Sequence, residues 1–286
     1  MKLRAIKNIS YAHEFQMGEM RVKQPLPSQV AEQVSPFILL HHAGPMVFEP
    51  GAYKTRISPH PHRGFEPVTF LFSGKAHHRD SMGNEGFLNA GGVQWMTAGR
   101  GVIHSEGPSE EFAKEGGTLE LIQLWINLPR EFKMTLPKYQ DISLSAIPEI
   151  VEDENKIRIR LVAGEYKNIK GPASTFTKIT AMMAWFEKDA NFYFTFPSSE
   201  NVMIYLLDGK LKFDHKEIDR LNMIEFENDG EEITFQSTEK GKLLLLAGEP
   251  INEPLASYGP FVMNYQGEIK QAILDYEQGK MGSLDF

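Results

Sequence analysis

Two short stretches of the chain carry residues that can do chemistry together. One is His60-Pro61-His62, the other His104-Ser105-Glu106. In an extended strand, residues i and i+2 project to the same side. Each stretch, if extended, therefore presents two ligand-type side chains to one face. If the two strands are neighbours, three imidazoles and one carboxylate converge. Three nitrogens and one oxygen suit a borderline divalent metal such as iron, nickel, copper or zinc. Four protein ligands leave one or two positions of a five- or six-coordinate site free for O2 or a chelating substrate. A single H-x-H is weak evidence, because most histidines are surface or core residues. Here there are two pairs, and seven of the nine histidines fall between residues 41 and 104. His77 and His78 are adjacent and so face opposite ways on a strand; a structural or pocket-rim role is expected for them. His41 and His42 are read similarly, and His13 and His215 as structural.

The elements that must position these residues read as short strands separated by turns. Val68 to Phe72 is followed by Ser73-Gly74, Gly91-Gly92 precedes "VQWMTAG", and "TLELIQLWINL" runs to Pro129. Such spacing points to a sandwich or barrel. Gly99 and Gly101 permit a tight turn that delivers His104. Three prolines, Pro129, Pro137 and Pro148, punctuate a stretch of weak periodicity. The expected organisation is a domain at 1–130, a linker or crossing at 131–150, and a second domain at 151–286.

In the second block "KITAMMAWFE", "NFYFTF", "NVMIYLLDGKLKF" and "GKLLLLAG" are strand candidates. Asp208-Gly209 and Asp229-Gly230 read as hairpin turns. "VTFLFSGK" and "VMIYLLDGK" look like one strand-turn unit used twice, which fits two similar β-domains. The second copy has no histidine pair. The tail "GEIKQAILDYEQG" reads as a helix, with Ile269, Ala272, Ile273 and Tyr276 on one stripe and Gly279 at its end.

Composition excludes several function classes. Net charge is −8, with 38 acidic and 30 basic residues and no long basic run, so direct nucleic-acid binding is not expected. There is no cysteine, hence no disulfide and no thiolate metal site. No apolar run approaches the ~20 residues of a membrane span, and the first ten residues lack a signal-peptide core. A cytoplasmic monomer without membrane contact is the expectation.

The segments "HPHRGFEPVTFLFSG", "DSMGN", "VQWMTAGRGVIHSE" and "EPLASYGPFVMN" resemble the pirin family of the cupin superfamily, over nearly the whole chain. The resemblance implies an all-β protein of two tandem cupin β-barrel (jelly-roll) domains with a short C-terminal helix. It implies one divalent metal per chain, Fe(2+), with nickel, copper or zinc able to replace it in preparations. The ligands it assigns are His60, His62, His104 and Glu106, all in the first domain, while the second domain has none. Ordinary cupin spacing nominates Glu66 instead; Glu106 is preferred because it shares strand parity with His104 and pirins use that position. One departure is "SPFILLHHAGP", where pirins commonly read "DPFLLLDHFGP". His41 and Ala43 therefore stand at changed positions, in a segment that would contribute to the barrel mouth. Trp95 and Met96 are expected in the core. Arg63 is expected to pair with a carboxylate, and Gln123, polar within "LIQLW", is a candidate to support the ligands.

Two functions follow, from different classes. Several pirin relatives resemble quercetin dioxygenases, which open a flavonol or similar enolic aromatic ring with O2. In that chemistry a Lewis-acidic metal takes the substrate hydroxyl and a carboxylate takes its proton; Glu106 is the candidate catalytic base. The alternative is a non-enzymatic, metal-binding regulator acting through protein partners.

Overall fold

The computed structural model describes residues 2–17, 20–51 and 56–284. The chain is all-β, as expected, and the described residues add a C-terminal helix, Gln266–Glu277, and a shorter one, Glu110–Glu115. It divides into two compact units. One comprises Met1–Glu14, Lys23–Ile38 and Ser145–Pro250; the other comprises Phe15–Val22, Leu39–Leu144 and Ile251–Phe286. These units differ at both ends from the chain-contiguous division 1–130, 131–150 and 151–286. The physical reason lies in two pairings. Strand Ile6–Tyr11 hydrogen-bonds antiparallel to Asn222–Phe226, and its Ile6 and Ile9 pack on the core of that unit. The C-terminal helix instead buries Ile269 and Ala272 against Ile103, Phe261 and Met263.

The segment read as a linker is only partly one. The chain passes from one unit to the other between Leu144 and Ser145. Before that point, Lys138–Ile142 forms a strand that pairs with Val93–Thr97. Its sequence, KYQDI, alternates too weakly to signal a strand on its own, because it lies at the edge of its sheet.

In the unit without the histidine pairs, alternation builds the core. "NFYFT" at Asn191–Thr195 points Phe192 and Phe194 inward, where they join Phe213 and Phe235. The Asp208-Gly209 signal does not make a hairpin. Strand Asn201–Phe213 runs through it, with register shifts on either side of Asp208, so it is a bulge. The hairpin turn falls at Asp214-His215, before Lys216–Asp219. Asp229-Gly230 does lie in the connection between Asn222–Phe226 and Glu232–Gly248.

The other unit holds the chemistry. Phe65–Ser73 lies between Val93–Thr97 and Gly117–Asn127 in a seven-stranded sheet. Asn201–Phe213 lies in the same way between Asn222–Phe226 and Glu232–Gly248, so the repeated "VTFLFSGK" and "VMIYLLDGK" segments occupy equivalent strands. A four-stranded sheet has the order Ile57–His62, Val102–Pro108, Lys75–Asp80, Glu85–Asn89. In it His104 sits opposite His60 on one side and Asp80 on the other, and Glu106 sits opposite His78.

The C-terminal helix is tied to the histidine-bearing strand by charge. Arg63, next to His62, donates from Nη1 to Asp275 Oδ2 at 2.8 Å and from Nε to the Arg100 carbonyl at 2.6 Å. Both side chains of the pair are largely buried. This is the carboxylate partner expected for Arg63. Lys280, Arg63 and Gln271 together hold the Asp275 carboxyl well below its ordinary 3.8. A depressed carboxylate contributes stability that is full above pH 4 and is lost as pH falls through the folded-state value. Asp275→Ala, which leaves Arg63 buried without its partner, is expected to cost about 3 kcal/mol at pH 7. Urea unfolding measures the cost, and the gap to wild type should narrow as pH falls below about 4.

Candidate metal centre

Tight turns bring the two histidine strands to one point. Gly64, directly after His62-Arg63, has φ +86°, and a Cβ there would stand 1.9 Å from the Val262 carbonyl oxygen. Gly99 has φ +48°, and a Cβ there would meet the Thr135 carbonyl at 2.2 Å. Only glycine fits either position. With these turns in place, the rings of His60, His62 and His104 gather. Centroids are 4.8 Å apart for His60–His62, 4.2 Å for His60–His104 and 4.7 Å for His62–His104. One ligand atom from each of the three lies within 4.8 Å of the others.

In each ring Nδ1 has a partner. His60 Nδ1 is 2.9 Å from the Ser58 carbonyl, and His62 Nδ1 is 3.4 Å from the Pro260 carbonyl. His104 Nδ1 is 2.8 Å from Nε2 of His78. A carbonyl only accepts, so the Nδ1 of His60 and His62 carries the proton, and in neutral His62 Nε2 keeps its lone pair. Nε2 of His62 and of His104 is buried with no hydrogen-bond partner in the protein. An unsatisfied buried polar atom costs about 1–3 kcal/mol. Two of them side by side fit a cation that accepts imidazole nitrogen. Burial first, and the neighbouring imidazoles second, push the pKa of His62 and His104 well below 6.5, so both are neutral and ready to coordinate.

Glu106 stands next to this trio but outside it. Its Oε1 accepts a short hydrogen bond from Gln123 Nε2, and Gln123 Oε1 accepts from Trp125 Nε1 at 3.3 Å. The Trp125 ring in turn packs on His62, 5.2 Å between centroids. Burial pushes the Glu106 carboxyl up, while His60, Gln123 and Arg56 oppose that shift. Gln123 is thus the half-buried amide that orients the carboxylate.

Glu66 belongs to another environment. Phe65 packs on His62, and successive residues of a strand face opposite ways. Glu66 therefore points to the far face of the sheet, where Thr97 Oγ1 donates to its Oε1 at 2.7 Å. Burial raises its pKa to about 7.

A cavity of about 50 Å³ adjoins Glu106, with Met20, His41, Thr69, Leu88 and Gln123 in its lining. His41 is therefore a pocket residue, held neutral by burial, which lowers its pKa to about 4. His42, its neighbour, faces the core, with Nε2 3.3 Å from Glu120. Trp95 and Met96 are buried core residues. His77 pairs with Glu85 at 2.7 Å and stacks on Phe87. His215 is exposed beside Asp214.

Sequence reasoning missed the partners of the ligands. His78 supports His104, Tyr139 supports His78 through a 2.6 Å contact to its Nδ1, and Pro260 supports His62. Its adjacency to His77 predicts a structural or rim role for His78, and the chain-contiguous division puts Tyr139 in the linker and Pro260 in the second domain. The available signal for Pro260 was the "SYGPF" segment itself, which carries the family resemblance without any ligand in it.

The fold and the histidine centre define a protein of two cupin domains with a short C-terminal helix. Residues 19–126 match the family model described as Pirin, and residues 182–282 match the one described as Pirin C-terminal cupin domain. The chain belongs to the pirin family. It is 40% identical over 229 residues to Pirin-1 of Arabidopsis thaliana, covering 78% of this chain and 77% of that protein. Its structure is similar to a crystal structure of quercetin 2,3-dioxygenase from Acinetobacter baumannii, with TM-score 0.95 and 37% identity, over 99% of this chain and 100% of that one. The bacterial pirin YhhW of Escherichia coli, solved in complex with nickel(II), shares the fold at TM-score 0.67 and 19% identity, over 85% and 98% of the two chains.

The assignment of the centre makes a direct prediction. Elemental analysis of protein loaded with metal and then desalted should give about one ion per chain. His60→Ala and His104→Ala should lose most of it. His215→Ala and Glu66→Gln, which stand apart from the trio, should keep it.

Proposed function

We propose that this pirin is a metal-dependent dioxygenase of the quercetinase type, opening an enolic or dihydroxylated aromatic ring with O2. The observation that supports it best is the pair of orphaned Nε2 atoms facing His60, with a carboxylate beside them on a cavity wall. In this reading His60, His62 and His104, joined by Glu106, hold one divalent metal, iron(II). The metal supplies Lewis acidity toward a substrate hydroxyl and electron transfer toward O2. The second domain carries no metal and serves as a structural partner, and no direct nucleic-acid contact is involved.

The chain's own groups do the rest. Glu106 accepts the proton of the substrate hydroxyl. Gln123, fixed by Trp125, keeps the Glu106 carboxylate turned toward the cavity. Leu88, Leu119 and Leu121 around that cavity keep water from the reacting ring and favour an apolar aromatic guest. His41 stands where it touches the guest rather than the metal.

One observation favours a second reading. The cavity, about 50 Å³, is far smaller than the ~300–1,000 Å³ of typical small-molecule sites. A flavonol enters only if the lining moves, for which Met17 and Met20 are suited by their flexible side chains. A metal-binding regulator acting through protein partners needs no such opening.

Flavonol consumption with carbon monoxide detection, using iron-loaded protein, separates the two. Turnover supports the oxygenase, and its absence with flavonols and smaller enols alike supports the regulator. Within the oxygenase reading, Glu106→Gln keeps the shape and loses the base. It should remain folded, retain metal with weakened affinity, and lose at least about a hundredfold in turnover. Full activity in Glu106→Gln together with its loss in Glu66→Gln would reverse the choice of carboxylate.

A further inference from the structure

The carbonyl that supports His62 is loosely held by its own contacts. The Pro260 oxygen faces His62 Nδ1 and accepts from the Arg63 amide, each at 3.4 Å. Hydrogen bonds from N–H to oxygen ordinarily measure about 2.7–3.2 Å. Neither contact is short enough to fix where that carbonyl stands, so its place is set by the residues that follow it.

Phe261 meets Arg63 in a single parallel bridge, and the Val262 amide donates to the Arg63 carbonyl at 3.0 Å. The bridge goes no further. Gly64 turns with φ +86°, and its amide donates to the Gly99 carbonyl at 2.8 Å. The carbonyls of Gly64 and Val262, one from each side of the point where pairing stops, turn to one group, the side chain of Lys133. Its Nζ donates to the Gly64 oxygen at 2.8 Å, to the Val262 oxygen at 3.2 Å and to Asn127 Oδ1 at 2.6 Å. Lys133 follows the single turn Arg130–Phe132 and is 1% exposed. Asn127, also buried, ends the strand Gly117–Asn127 opposite Phe65.

Three neutral oxygens thus take the three N–H groups of one buried ammonium. Filling the core does not require this, since an apolar side chain of the same length would occupy the space without the cost of burying a charge. What the cation adds is three charge-assisted hydrogen bonds. They draw together two carbonyl dipoles that repel each other when both point at one spot.

We propose that Lys133 is a positioning residue of the metal centre, clasping the Gly64 and Val262 carbonyls and so holding the Pro260 carbonyl against His62. The clasp acts on one ligand of the three, because His60 leans on Ser58 of its own strand and His104 on His78. The purpose given to it rests on the reading of the trio as a metal site, but the clasp itself exists without metal.

Two measurements on the full chain test it. Three acceptors call for the charged amine. Burial lowers the Lys133 pKa to about 7, with Glu253 and Glu268 opposing that shift, so both are made at about pH 6. The first is amide hydrogen exchange of metal-free protein. Lys133→Met keeps the length and removes the donors. It should speed exchange at Val262 and Arg63 by about tenfold or more and leave the amides of Lys75–Asp80, in the same unit, as in wild type. The second is cobalt(II) binding, read as affinity from competition with a chelator and as the visible spectrum at saturation. Lys133→Met should bind about tenfold more weakly, with a saturated spectrum that differs from wild type because His62 has lost its support. A residue that only stabilised the fold would leave that spectrum unchanged. Lys133→Gln, whose shorter amide still donates, should fall between the two on both readouts and carries the test if Lys133→Met does not fold. Wild-type exchange at Val262 and Arg63 in the variants overturns the proposal. So does equal acceleration in Lys75–Asp80, or wild-type cobalt affinity and spectrum where exchange at Val262 has changed. If wild type binds no cobalt, the metal reading fails, while exchange at Val262 and Arg63 still decides whether Lys133 holds the carbonyl in place.

Discussion

Everything at the centre depends on one antiparallel pairing, that of Ile57–His62 with Val102–Pro108, in the register that sets His104 opposite His60. A slip by one residue would turn His104 to the opposite face and dissolve the trio. The register is defended from several directions. Gly64 and Gly99 admit close backbone approaches that no side chain would allow. Arg63 anchors the end of the first strand to the C-terminal helix through Asp275. Ser105, between the two ligands of its own strand, donates its hydroxyl to the Ile57 carbonyl at 2.8 Å.

The same arrangement creates its own electrostatic demand. Three imidazoles crowded into a largely buried space cannot all be protonated, and burial with mutual repulsion keeps His62 and His104 neutral. Neutral His62, its Nδ1 proton pinned on the Pro260 carbonyl, turns the lone pair of Nε2 inward beside His104. That is an environment for a cation, produced by backbone carbonyls and a neighbouring imidazole rather than by any anionic cage. The carboxylate enters separately, on the cavity side, under the control of Gln123. The histidines and Glu106 thus have different supports.

Much of this was legible in the sequence, for a simple reason. Pairs at i and i+2 announce a shared face wherever a strand is assumed, so His60, His62 and His104 could be named before any fold was known. The preference for Glu106 over Glu66 rests on the same parity and on the family resemblance, and in the structure Glu66 accepts from Thr97. What parity cannot show is which strand lies next door. His78 faces its partner only because Lys75–Asp80 pairs with the His104 strand, and that is a long-range fact. Tyr139 was hidden by an edge strand too polar to read. Pro260 was hidden by a tail that returns to the first domain's core. Asp208-Gly209 has the composition of a hairpin turn, but the long strand through it bulges instead, because pairing with Glu232–Gly248 continues on both sides.

The central claim is that three Nε2 atoms, from His60, His62 and His104, bind one metal together. X-ray absorption at the metal edge of the wild-type protein loaded with a single equivalent of nickel(II) or zinc(II) reads this most directly. The account predicts nitrogen and oxygen donors at about 2.0–2.2 Å, with outer-shell scattering that requires three imidazoles. A shell of oxygen donors alone, or one fitted by no more than a single imidazole, would contradict it.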